Sequence, residues 1–380
     1  MRLLVVSHPA VLAVNQLPYA ELRTLGWDPY LVVPATWRHE YAATAFPPEV
    51  LPELEGRVSG RRVALPGRVQ RHVYLTSLRR LIAEVAPLAA FVEEEPTSAP
   101  GFQWGRALHR AGVPFGLQAD ENLERPWPLP ARLFRRWTLA RAAFVAARSP
   151  TAAALLRQVR PDVRAPLIPH HVPAWTAPAA PPRERFTIGY AGRLVAAKGL
   201  DVLIDAAAGL DGVRVRLVGN GPLRGRLEAQ AAQRGVALEV DDGVRHEQMA
   251  SAYASFDVLV LPSRTTPTWA EQFGRVLVEA LWCGVPVIGS DSGEIPWVIE
   301  ATGGGLVVPE GDPAALRAAL ARLRDEPGLR GELAARGGER ARAQFGVEAV
   351  ARELDRVLRE VAGLRRAPDE RGDAVELGRW

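Results

Sequence analysis

Short apolar runs rich in Val, Ile and Leu alternate along this chain with stretches whose apolar residues recur every three or four positions. The runs read as strands buried on both faces and the stretches as helices covering them, the pattern of parallel sheets. In the first half the runs predict strands at 3–6, 30–33, 88–92, 114–117 and 143–146, with helices at 16–25, 69–85, 101–111 and 131–140. A Pro- and Ala-rich stretch without period, 173–185, reads as a linker. The alternation then restarts, with strands at 186–190, 214–218, 237–240, 258–261 and 286–289 and helices at 200–209, 223–234, 247–255 and 276–283. After Pro313 the pattern is helical, at 314–323, 330–344 and 347–364.

The expected fold is therefore α/β, with two Rossmann-like, doubly wound domains facing each other across a cleft. The first spans 1–172 and the second 186–345, with a helix in 346–364 packing back on the first domain and a mobile tail at 365–380. A length of 380 residues suits two such domains. No window approaches 18 uninterrupted apolar residues, and Ser7, His8 and Pro9 interrupt the apolar start. Neither a spanning helix nor a signal peptide is expected, and the predicted location is cytoplasmic. The lone Cys283 excludes an intramolecular disulfide framework and a cysteine metal cluster, and reads as a packed, inert thiol.

Charge adds an asymmetry. Residues 1–175 carry 21 Arg against 14 acids, whereas the remainder carries 26 Lys plus Arg against 29 acids. A basic first half suggests an anionic ligand or a membrane surface, and the stretch from Arg68 to Ile82, with Arg71, Arg79 and Arg80 beside Val73, Leu78 and Leu81, reads as a basic, partly amphipathic helix, either packed on the core with a solvated arginine edge or making peripheral membrane contact. The basic residues are not interleaved with aromatics in a compact motif, so a nucleic-acid role is not expected.

Among 46 arginines stands one lysine, Lys198, five positions after Arg193 and directly before Gly199 and a predicted helix. A strand leading through glycine into a helix start offers free backbone N–H groups and a favourable dipole to an anion. Arg193 and Lys198 add two cations there. The spacing does not make a Walker A loop, because Ala197 stands where its glycine belongs and Leu200 where its Ser or Thr belongs. A second glycine turn, Gly219-Asn-Gly221-Pro222, again links strand to helix. Further on, Glu271-Gln-Phe273-Gly274 precedes Glu279 by eight positions. In a continuous helix eight rises separate two backbones by roughly 12 Å, more than the roughly 5–9.5 Å between the carboxyl groups of a hydrolase pair. Such spacing suits two hydroxyl-bearing parts of one extended ligand. Together these groups describe a nucleotide-sugar site, with Arg193 and Lys198 on a pyrophosphate, Glu279 on ribose, and Glu271 with the amides near Phe273 and Gly274 on a sugar.

The combination of Gly192-Arg193…Lys198-Gly199, the Gly219–Pro222 turn, Glu271…Glu279 and the Gly284-Val-Pro-Val-Ile run resembles the retaining glycosyltransferases of the GT-B fold, known as glycosyltransferase group 1 or family four, strongest over 186–345. The resemblance implies an acceptor in the first domain, a nucleoside-diphosphate sugar in the second, and transfer with retention that needs neither metal nor cofactor. It makes Arg193, Lys198 and Glu271 the catalytic groups and adds Gly219, Gly221, Phe273, Gly274 and Glu279 as donor contacts. Two departures appear in the first half. Where many relatives have a glycine-rich loop after the first strand, this chain has His8 through Asn15 and Gln16; where many place a histidine after a central strand, it has Asp120-Glu121-Asn122. Asn15, Gln16, Glu95, Asp120, Glu121 and Asn122 are accordingly the expected contacts to a glycan, lipid or small-molecule acceptor. The rival readings are another GT-B enzyme, an epimerase or phosphorylase, and a non-catalytic subunit that binds sugar nucleotides or glycans.

Overall fold

The computed structural model describes residues 1–38, 45–176, 178, 184–244 and 248–364. Its strands, in chain order, are β1 Arg2–Ser7, β2 Asp28–Pro34, β3 Val58–Arg61, β4 Val63–Ala64, β5 Val73–Tyr74, β6 Ala89–Glu93, β7 Phe115–Ala119, β8 Phe144–Ala147, β9 Phe186–Ala191, β10 Val213–Val218, β11 Leu238–Asp241, β12 Val258–Leu261, β13 Val287–Ser290 and β14 Gly305–Val308. Among the described residues they form two six-stranded sheets and one small antiparallel pair, β4–β5.

The first sheet runs β3-β2-β1-β6-β7-β8 and the second β11-β10-β9-β12-β13-β14, with every pairing in both parallel. Central strands are covered on both faces, which is why they read as unbroken apolar runs: Leu3, Leu4, Val5 and Val6 are all fully buried. In each sheet the order reverses once, between β1 and β6 and between β9 and β12. At such a switch point neighbouring connections leave in opposite directions and open a crevice beyond the carboxyl ends of the strands.

After the helix Pro327–Phe345 the chain returns to the first sheet as the helix Val347–Val361. Its Val350, Ala351, Leu354, Val357 and Leu358 share a core with Leu3, Val5, Leu22 and Leu31. The two crossings between sheets lie side by side, since Val172 N–H donates to Phe345 O at 2.8 Å and Val172 pairs with Gly346.

The helix expected at 69–85 is confined to Leu78–Val85. Before it, Leu65 and Gly67 take positive φ angles of 56° and 88°, and the Gln103 side chain bonds both the N–H and the C=O of Tyr74 at 2.9 Å. These contacts hold the backbone extended as β5. The apolar face of the shortened helix, Leu78, Leu81, Ile82 and Val85, is buried, while Leu65, Val69 and Leu75 stay exposed on non-helical backbone. The segment is thus a core-packed helix with a solvated arginine edge, whose apolar face is already spent on the domain core, and among the described residues no helix is long and apolar enough to cross a membrane. Also unforeseen are the edge strands β3 and β14 and the helices Pro150–Val159 and Ile295–Thr302. The tail 365–380, part of the linker (177 and 179–183) and the start of the helix expected from Glu247 lie outside the described residues.

Candidate active site

Two glycine loops meet at the ends of β9 and β10. Gly219 has φ 142°, and a Cβ there would stand 1.9 Å from Gly192 O; one on Gly221 would stand 2.4 Å from Leu194 O. Gly192 N–H donates to Val218 O and Leu194 N–H to Asn220 O, both at 2.9 Å. The close approach these glycines permit is between the two loops, which gives Gly219 and Gly221 a structural role beside the donor contact expected of them. Their loop holds in place the turn that carries Arg193, an exposed side chain.

Lys198 ends a short 3-10 turn, Ala196–Lys198, and Gly199 at φ 62° starts the helix Leu200–Ala207. A Cβ on Gly199 would meet Pro262 O at 2.0 Å, so this turn is pressed against the end of β12. There Lys198 Nζ donates to Glu271 Oε2, which also accepts from Ser263 Oγ at 2.8 Å. The ammonium lies 4.9 Å from the centre of the Trp269 ring. One carboxylate therefore collects the lysine and a hydroxyl from two different strand ends.

Glu271 belongs to the loop before the helix Arg275–Trp282, whose start is set by Gly274 at φ 72°. Its carbonyl is fixed from both sides, by Glu294 N–H at 2.9 Å and by Asn122 Nδ2 at 2.8 Å. Glu279 sits inside the helix, buried, and accepts from the Tyr253 hydroxyl at 2.6 Å. The Phe273 ring is core, packed near Trp297, Phe345 and His170, which leaves its backbone as the part able to meet a ligand. Burial and then the charge of Glu279 push the Cys283 thiol up to about 12, consistent with an inert thiol.

Across the cleft the first sheet contributes a cavity of about 280 Å³, walled by Asn15, Glu95, Asp120, Glu121 and His170 and, from the second domain, by Gln272 and Arg275. Glu95 Oε1 accepts the backbone N–H of Asp120 at 2.6 Å and of Glu121 at 3.2 Å. Burial, and after it the neighbouring Asp120 charge, raise the Glu95 carboxyl to about 8. Burial works against ionised Asp120 as well, but the attraction of His170, bonded to it at 2.7 Å, and of Arg148 holds it at about 2. Buried Arg148 in turn bonds Glu93, Gln118 and the carbonyls of Ile168 and Pro169.

Of the residues expected to meet an acceptor, Asn15, Glu95, Asp120 and Glu121 line this cavity. Gln16 does not: it is fully buried, and its amide bonds the carbonyls of Ala10 and Glu49 and the N–H of Leu51. Asn122 is also buried, its amide spent on Glu271 O across the domain boundary. The sequence reading missed His170, Arg148, Gln272 and Arg275. A histidine does stand against Asp120, but it comes from the segment before the linker, fifty residues away, where no local pattern announces it.

Residues 173–344 match the family model described as glycosyl transferases group 1. Among curated proteins, the lipopolysaccharide core biosynthesis glycosyltransferase LpsD of Rhizobium meliloti is 33% identical over 169 residues, 44% of this chain and 48% of that protein. A D-inositol 3-phosphate glycosyltransferase of Thermomonospora curvata is 32% identical over 197 residues, 48% and 44% respectively. The chain thus spans less than half the length of these curated relatives. Among solved structures, a sucrose-phosphate synthase from Thermosynechococcus elongatus superposes with a TM-score of 0.73 at 20% identity, covering 96% of this chain and 99% of the other. The Anabaena protein HepE in complex with UDP-glucose superposes with a TM-score of 0.69 at 18% identity, covering 95% and 100%. The fold is GT-B, two Rossmann-like domains with a cleft between them.

Proposed function

We propose, from the match of residues 173–344 to the glycosyl transferases group 1, that the protein transfers a sugar from a nucleoside-diphosphate sugar to an acceptor held by the first domain, with retention at the anomeric carbon and without a metal at the donor phosphates. The observation that carries this reading is the contact of Lys198 with Glu271, braced by Ser263 at the switch point of the second sheet.

An ammonium carries three N–H donors, so Lys198 can keep Glu271 and still reach a phosphate oxygen. As the sugar–phosphate bond breaks, negative charge grows on the leaving diphosphate. A cation already held in place stabilises that charge without reorganising, and exposed Arg193 on the adjacent loop adds a second. Glu271 places a carboxylate beside the carbon that becomes positive, and Glu279, one helix deeper, is the ribose contact. In a front-face transfer the departing phosphate oxygen takes the acceptor proton, so no protein base is required. Glu95 and Asp120 line the acceptor side, where their oxygens bond hydroxyls of the incoming molecule.

Lys198→Ala removes one charged hydrogen bond, worth roughly 1.5–3 kcal/mol, and is expected to slow transfer about 10- to 150-fold at unchanged fold. A thermal-shift screen of nucleotide sugars, led by UDP-sugars because HepE is held with UDP-glucose, identifies the donor. A donor at 100 times its Kd adds about 2.7 kcal/mol of stability. Release of nucleoside diphosphate and the anomeric configuration of the product are then followed by NMR. Undiminished turnover in Lys198→Ala would discard the phosphate assignment, an inverted product the retaining one, and donor binding without turnover across a broad acceptor panel the enzyme itself.

A further inference from the structure

Beyond the donor site, three side chains from separate segments converge at the switch point of the first sheet. His8 follows β1, His72 precedes β5 and Glu94 follows β6. His72 and Glu94 are fully buried, and His8 keeps 15% of its side chain exposed at the edge of the cleft cavity. His8 Nδ1 lies 2.9 Å from Glu94 Oε2, and His72 Nε2 lies 3.5 Å from Glu94 Oε1. The Trp37 ring, 5.1 Å from each imidazole, walls the group off.

The orientation of His72 decides what belongs there. Its Nδ1 faces two carbonyl oxygens, Val69 O at 3.1 Å and Arg68 O at 3.3 Å. Carbonyls only accept, so Nδ1 carries a proton. In the neutral ring Nε2 then presents a lone pair, and this buried nitrogen makes no hydrogen bond. A lone pair turned toward a carboxylate in a dry site is repelled, so either a proton on Nε2 or a metal ion belongs between them. The carbonyl bonds on the far nitrogen are also the outer contacts that orient a metal-binding imidazole.

We propose that His8, His72 and Glu94 bind one divalent transition-metal ion of the zinc type, with its remaining position open to the acceptor cleft for an oxygen ligand. The spacing fits. Around a tetrahedral ion with bonds of about 2.0–2.2 Å, ligand atoms stand roughly 3.4 Å apart, and the three groups here offer atoms all within 4.8 Å of one another. Two imidazoles favour zinc, cobalt or iron over magnesium and calcium, which prefer oxygen shells. The ion sits on the first domain, away from Arg193 and Lys198, so it acts on the acceptor side and leaves the leaving-group chemistry to those two cations. The site stands whether or not the transfer reading holds.

The test uses the full chain, stripped by a chelator and titrated with Zn²⁺ and with Co²⁺. One ion per chain is expected, with the visible absorption of low-coordinate Co²⁺. Glu94→Gln and His72→Ala are expected to weaken that binding by about 100-fold or more, since even outer contacts of a metal ligand are worth 10- to 100-fold. Lys198→Ala should leave it unchanged. His8→Asn, at the exposed edge, carries the test if either buried variant fails to fold by circular dichroism. Absence of stoichiometric Co²⁺ binding, or an affinity unaltered in the folded variants, would overturn the assignment in favour of a protonated His72 paired with Glu94.

Discussion

At the scale of single residues, burial has turned ordinary side chains into groups with distinct acid–base behaviour. His171 is buried, and desolvation, followed by the nearby Arg275 charge, lowers its folded pKa to about 3, while Nε2 bonds Val14 O at 2.8 Å. The unfolded histidine accepts a proton near 6.5, so between 6.5 and 3 the unfolded chain binds more protons than the folded one. Stability from this residue is therefore complete above about 6.5 and drains away as pH falls toward 3. His171→Gln keeps a donor for Val14 and cannot titrate. Urea midpoints measured from pH 7 to pH 4 should fall less steeply in this variant, and identical slopes would reject the assignment. None of this was legible in the sequence, where His170 and His171 are merely adjacent to a proline-rich linker. Lys198 was legible, because a single lysine among 46 arginines before a helix start is unusual in both composition and position.

At the scale of elements, what the sequence made legible was whatever one local pattern determines. Runs such as Leu3–Leu4–Val5–Val6 lie in the middle of their sheet, where both faces are covered, and they were placed within two residues. The edge strands β8 and β11 were found too, but β3 was not, because its sequence Val-Ser-Gly-Arg is only partly covered and lacks an apolar run. The helix expected at 69–85 failed for a different reason: Gln103, distant in sequence, captures the backbone of Tyr74 and overrides the local periodicity. The glycine motifs were found, but the packing of Gly219 against Gly192 across two loops was not, because it joins segments with no shared local pattern. The last helix shows how much an element owes to tertiary contact. Leu354 is 2% exposed against the first sheet, and the next residue, Asp355, accepts from Trp27 Nε1 at 2.6 Å. Leu354→Ala should cost about 2–5 kcal/mol, read as a lower urea midpoint at unchanged slope. A loss under about 1 kcal/mol would show that the helix is not part of the first domain's core.

At the scale of the whole molecule, the two domains touch where the proposed chemistry occurs. Asn122 from the first domain donates to Glu271 O, and Gln272 from the second donates to Asp120 O at 3.3 Å. Each of these bonds grips the loop that carries Glu271, so opening the cleft would release two of the contacts that hold that loop. The chain passes between the two sheets side by side at Val172 and Gly346, so any change in the angle between the domains has to bend the backbone there. Asn122→Ala removes the buried hydrogen bond to Glu271 O, worth about 0.5–1.5 kcal/mol, and leaves both cores intact. It should therefore shift the population toward open forms, seen as a larger radius of gyration in solution scattering. Nucleoside-diphosphate binding should weaken by about 2- to 10-fold through the same opening, because a ligand that prefers the closed form must now supply the lost closure energy. If the variant binds as tightly as the parent and scatters identically, the bond to Glu271 O is a passive contact that does not hold the cleft closed.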